Sequence, residues 1–180
     1  MSHIPKVYVW DGTTTVKVDA AVSALRCIEV EHAEIHAGDH YYVSDYATVA
    51  AAATREFLIT TGAVDCHLTW LIDFNKDVQI ALYEDGDKVG ARAQTVFNND
   101  RGSANTATTT VHEGTGGGTT DGNLISSWSG GLTLGGQARD NNKNQRNREI
   151  ILKQSKKYIL RTTSLTNGNI ISTTLEWYEV

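Results

Sequence analysis

"CHLTWLIDF", residues 66–74, decides the fold. Cys66, Leu68, Trp70, Ile72 and Phe74 take alternate positions; His67, Thr69 and Asp73 lie between them, with Leu71 the one exception. A strand sends successive side chains to opposite faces, so one face here is buried and the other wet. Val78, Ile80 and Leu82 repeat the pattern after "NKD" (75–77), which reads as a hairpin turn, and "EDGD" (84–87) closes that second strand.

The same period returns near the C-terminus. "EIILKQ" (149–154), "KKYILRTTS" (156–164) and "GNIISTTLEWYEV" (168–180) read as three strands, with Ile171, Thr173, Leu175 and Trp177 on one face. "TNGN" (166–169) predicts a hairpin between the last two, because Asn and Gly both tolerate positive φ. "SDYATVAAAATREFL" (44–58) is open to two readings, an Ala-rich helix capped by Ser44 or Asp45, or a strand with a loop. About ten short strands separated by turn signals predict an all-β, jelly-roll-like β-sandwich with long polar loops.

Two regions stand apart from the sandwich. Residues 1–24 hold "VYVW", "DGTT" and "TVKV", a small hairpin about Asp11-Gly12 with too few large apolar residues for a core of its own. They read as an extended N-terminal arm, leaving residues 25–180 as the sandwich domain. Residues 98–123 and 135–147 are polar and rich in Gly, Thr or Asn, and predict loop excursions, the first crossed by a short strand near Thr108 to His112.

The bulk composition bounds the function. The 180 residues suffice for one domain, and the net charge of −5 argues against a general nucleic-acid surface. One stretch departs from it: "RDNNKNQRNR" (139–148) carries Arg139, Lys143, Arg146 and Arg148 against one acid, Asp140. It reads as a solvated loop or as a docking loop for an acidic partner surface. Cys27 and Cys66 lie far apart in apolar runs and read as buried free thiols. No apolar run approaches the ~20 residues that span a bilayer, and the first residues lack the apolar stretch of a secretory signal. A soluble protein made in a cytoplasm, with no membrane partner, is expected.

The chemistry-bearing motifs are weak. "HAEIH" (32–36) has its Glu in the wrong place for a zinc-protease helix. On a strand, His32, Glu34 and His36 would point one way, as a polar strand face or as a three-ligand metal face. Gly38-Asp39 then turns the chain and assigns His40 to the next strand. No GxSxG elbow occurs, "SWSGG" (127–131) having the wrong spacing. "GTGGGTTDG" (114–122) lacks the Gly-Lys-Ser/Thr of a phosphate loop, and Glu84 and Asp87 read as solvated turn carboxylates. Trp70 and Trp177 read as core, whereas Trp10 and Trp128 read either as exposed anchors for a partner or sugar ring or as local packing.

"VEHAEIHAGDHYYVSDY" (30–46), "REIILKQSKKYILRTT" (148–163) and "LEWYEV" (175–180) resemble blocks of small virion structural proteins of tailed bacteriophages, some of which are capsid decoration (cement) proteins. "VYVWDGTTTVKVD" (7–19) is similar to their N-terminal arms, and the resemblance fades over residues 85–145. It implies a β-sandwich bound to the outside of a capsid as a homotrimer, partnered by the major capsid protein, with no enzymatic activity and no cofactor. Tyr8, Trp10 and Lys17 of the arm and Arg139, Lys143, Arg146 and Arg148 are the expected contacts, and the virion surface is the expected location. The alternative is a host-recognition module of a phage fibre or tail that binds surface glycan through residues 98–123 and Trp128.

Overall fold

The computed structural model describes Val18–Asp19, Ala24–Leu25 and residues 30–115, 118–131 and 149–180. Strands β1 (Val18–Asp19) and β2 (Ala24–Leu25) pair antiparallel, and helix α1 (Val30–Ala37) follows. The sandwich is built from β3 (His40–Val49), β4 (Thr54–Thr60), β5 (Cys66–Phe74), β6 (Val78–Glu84), β12 (Asn123–Gly130), β13 (Ile150–Leu152), β14 (Lys157–Ser164) and β15 (Asn169–Glu179). Between β6 and β12 lie the short strands β7 (Asp87–Lys88), β8 (Arg92–Ala93), β9 (Phe97–Asn98) and β11 (Thr119–Thr120), and the longer β10 (Thr110–Thr115).

One sheet has the order β13-β5-β15-β3-β9, the other β12-β6-β14-β4-β10-β8, and every pairing is antiparallel. Apart from the step from β6 to β12, successive sandwich strands alternate between the two sheets. That alternation, with β15 between β5 and β3 and β14 between β6 and β4, is a jelly-roll order. The inward faces are those of the alternation: Leu68, Ile80, Leu82, Leu160, Ile171, Leu175 and Trp177 are buried between the sheets. Cys66 is among them, and burial pushes its thiol up to about 12, far from thiolate chemistry at neutral pH. Cys27 lies outside the described residues.

The two expected hairpins are corrected. β5 and β6 lie in different sheets, as do β14 and β15, so "NKD" and "TNGN" are crossovers at one end of the sandwich. They bind each other. Ile170 N donates to Asn75 Oδ1 at 2.8 Å, Lys76 N to Asn169 Oδ1 at 3.1 Å, and Leu165 N to Asp77 O at 2.9 Å. Gly168 has a φ of +65°, so the Asn-Gly pair supplies the positive φ that suggested it, but in an arch rather than a hairpin. Residues 44–58 resolve as the end of β3, a turn at 50–53 and β4, again a crossover. The polar excursion near 98–123 is more ordered than its composition predicts: β10 pairs with β4 over six positions. The hairpin about Asp11-Gly12 and the loop at 135–147 lie outside the described residues.

β4 carries two buried charges on opposite faces. Arg55, fully buried, points between the sheets with Phe57 and Ile59. Its Nε donates to Glu113 Oε1 at 2.9 Å, its Nη1 to the carbonyls of Asp45 (3.2 Å) and Ile171 (3.1 Å), and Nη2 lies 3.1 Å from Asp45 Oδ2. Glu56 faces outward yet is 1% exposed, because β7 and β11 lie over it. It accepts from Lys88 Nζ at 2.8 Å, Thr119 Oγ1 at 2.5 Å and Arg161 Nε at 2.6 Å.

Acid is expected to loosen both the cover and the Thr108–Thr109 loop. Burial opposes ionisation of Glu56, but hydrogen bonds from Lys88, Thr119 and Arg161 outweigh it and hold the pKa below the ordinary 4.5. Burial likewise opposes ionisation of Glu179, and the N–H groups and hydroxyls of Thr108 and Thr109 outweigh it. A carboxylate depressed in the folded state adds stability that is complete above its unfolded pKa and is lost as pH falls through its folded one. Melting temperature is therefore expected to hold from neutral pH to about 4.5 and then to fall, with a shallower fall in Glu179→Gln. A melting temperature unchanged down to about pH 3 would contradict this linkage.

Candidate docking surface

The histidine segment is not a strand. Val30–Ala37 is α1, so residues 32, 34 and 36 follow helical spacing rather than the alternation of a strand. The strand face that would have aligned His32, Glu34 and His36 as metal ligands does not form. Gly38 stops the helix at a φ of +80°, with its N–H on Ile35 O at 3.1 Å and Asp39 N on Glu34 O at 3.0 Å. The signal was present in the sequence: Val30, Ala33 and Ala37 have the i, i+3, i+7 spacing of a helix, and a glycine follows. Among the described residues, no group of three His, Cys, Asp or Glu side chains is placed to hold a metal ion.

His40 is a different matter. It opens β3, where the register aligns it with Tyr178 of β15 and, beyond that, His67 of β5. The rings form a row on the outer face of the five-stranded sheet: His40 and Tyr178 stack at 6.4 Å, Tyr178 and His67 at 4.5 Å. Asn99 Nδ2 donates to His40 Nδ1 at 2.6 Å. At the other end Glu149 accepts from His67 Nδ1 at 2.5 Å and from the Tyr178 hydroxyl at 2.9 Å. The hydrogen bonds tie three rings and one carboxylate into a platform that is largely covered: His40 is 2% exposed, and the side chains of His67 and Glu149 are 16% and 24% exposed. No sequence pattern joins these residues, because the row is made by register between three strands.

The platform is where the two expected docking segments meet the sandwich. The chain from the arm passes through α1 into His40, and the chain from 139–148 passes directly into Glu149. Tyr8, Trp10, Lys17, Arg139, Lys143, Arg146 and Arg148 themselves lie outside the described residues. On the same outer face Tyr46 is 72% exposed, Ile151 58%, Ile170 47% and Phe97 38%. Phe97 packs on Tyr42 at 5.5 Å, and the Arg101 guanidinium lies 5.1 Å over its ring.

No family model matches this chain, and no curated protein or solved structure matches it at significance.

Other candidate residues have structural partners. Trp128 turns inward and stacks on Trp70 at 5.8 Å, packed against the core, so it is not an exposed anchor. Glu84 accepts from Lys153 at 2.7 Å and from Tyr158 at 3.0 Å, while Asp87 pairs with Lys157 at 2.9 Å. Each carboxylate is held below its ordinary pKa first by its lysine, and the two sit in separate ion pairs. Burial pushes Tyr158 up to about 12, with the Glu84 carboxylate adding to it.

Proposed function

We propose that this chain is a structural virion protein that binds the outer surface of a tailed-phage capsid and stabilises contacts between capsomers. In this reading it has no enzymatic activity and no cofactor, is made in the host cytoplasm, and acts as a homotrimer on the major capsid protein. The observation that carries it is the convergence at the His40–Tyr178–His67 row. The chain that follows the arm and α1 reaches His40, and the chain that follows the basic segment reaches Glu149, beside each other at one end of one sheet. The blocks that resemble decoration proteins, 30–46, 148–163 and 175–180, cover most of β3 and the end of the adjacent β15 of that sheet. Two linked segments binding neighbouring capsomers raise each other's effective concentration, which suits a cement.

The test is co-sedimentation of the purified full chain with heads that lack it. Saturable binding at a fixed ratio to the major capsid protein is expected, and the ratio reports the symmetry position. Removal of residues 1–24 is expected to weaken binding by about 10²-fold or more, the usual loss when one of two linked contacts goes, while the melting temperature of the sandwich is kept. Arg146→Glu with Arg148→Glu should weaken it through the other segment. No binding of the full chain to heads would overturn the reading.

A further inference from the structure

The other sheet carries a groove that the capsid reading does not use. On the outward face of β12, β6 and β14 the register places Ser129, Gln79 and Thr163 in one row and Ser127, Ala81 and Arg161 in the next. Leu124 and Tyr83 continue the grid. Ala81, the smallest side chain at the centre, forms a low floor; the Tyr83 ring and the Arg161 guanidinium stand beside it, the guanidinium carbon 4.9 Å from the ring centroid. The groove is open to solvent and offers about 500 Å³, the size of a small-molecule site.

Among the described residues lining the groove, Arg161 alone is charged. Its guanidinium is taken up by Glu56 on one side and by both oxygens of Asp121 on the other, so the wall offers no free cation to a phosphate or an acidic peptide. The rest of the lining is hydroxyl, amide and small apolar surface: Ser127, Thr163 and Gln79 beside Ala81, Leu124 and Tyr83. Neutral polyhydroxylated rings have that mixture of donors, acceptors and C–H faces.

We propose that this groove binds a neutral oligosaccharide, with Ala81 as floor, Tyr83 as the apolar wall, and Gln79, Ser127 and Thr163 as hydrogen-bonding partners. The site lies apart from residues 98–123; Trp128 is among its lining residues, with its ring stacked on Trp70. It lies on the sheet opposite the platform, so capsid attachment and glycan binding can fail independently.

The full chain is to be screened on an array of neutral and anionic oligosaccharides, and the strongest neutral hit titrated by calorimetry. Saturable binding to a neutral glycan is expected, lost on Ala81→Gln, which fills the floor, and weakened several-fold by Ser127→Ala or Gln79→Ala. The last two lie on the exposed face and leave the fold intact, as melting curves will verify. Capsid co-sedimentation of Ala81→Gln should equal that of the parent chain. An array on which no neutral glycan binds, on which only anionic glycans bind, or a hit whose affinity survives all three substitutions would overturn the proposal.

Discussion

Replacing Arg55 by alanine is expected to cost the domain about 3–5 kcal/mol, the usual loss when one member of a buried ion pair is removed. The side chain is fully buried and reaches from β4 in one sheet to Asp45 and Ile171 in the other. Without it the Glu113 carboxylate, itself mostly buried, has only Arg92 at 3.4 Å, a side chain 71% exposed. The carbonyls of Asp45 and Ile171 lose the Nη1 donor inside the sandwich, where an unmet polar group costs about 1–3 kcal/mol. Domains of this size lose roughly 2–4 °C of melting temperature per kcal/mol, so thermal and urea unfolding will both read the change. Arg55→Lys keeps the charge but not the four-way geometry, and should fall between the parent and Arg55→Ala. A loss below about 1 kcal/mol for the alanine variant would mean the network is incidental to stability.

Glu56→Ala should have an effect of similar size by the opposite route. The Lys88 side chain is 1% exposed and its ammonium pairs with Glu56 at 2.8 Å. Loss of Glu56 takes the carboxylate away from that buried cation, a cost of about 3–5 kcal/mol. The double variant Glu56→Ala with Lys88→Met removes both charges together and should recover a large part of the loss. A double-mutant cycle on urea midpoints measures that coupling. Additive single and double effects would show that Lys88 finds another partner or water, and that Glu56 is not what pins β7 and β11 to the sheet.

The strands were legible because their faces are so unequal. Cys66 to Phe74 and Ile171 to Trp177 alternate cleanly, and both lie where the alternation puts them. Sheet membership was harder to read. Asn-Gly states that a residue will take positive φ; it does not state whether the chain then returns beside itself or crosses to the facing sheet. Here β15 fills the place between β5 and β3, and β14 the place between β6 and β4, so neither can pair with its chain neighbour. Arg55 and Glu56 left no trace in the pattern, since a charged pair on a strand reads as an exposed edge until its partners arrive from strands far away in the chain. The histidines misled for a related reason. His32 and His36 drew notice by proximity in sequence, whereas the row His40, Tyr178 and His67 depends on register alone. The groove lining was equally invisible, being single serines, an alanine and a glutamine from three strands.

The place of β14 and β15 at the centre of their sheets also sets an order in time. β3 to β6 precede the other sandwich strands in the chain, but in the finished sandwich none of these four strands is paired in a ladder with another. Each waits for a later strand, and both sheets lack a centre until residues 157–179 have left the ribosome. The nascent chain thus holds apolar faces and unpaired strand edges open until those two strands arrive. Such non-local pairing makes assembly slow and exposes the chain to aggregation meanwhile. Closure of both sheets consequently waits on β14 and β15, the strands at their centres.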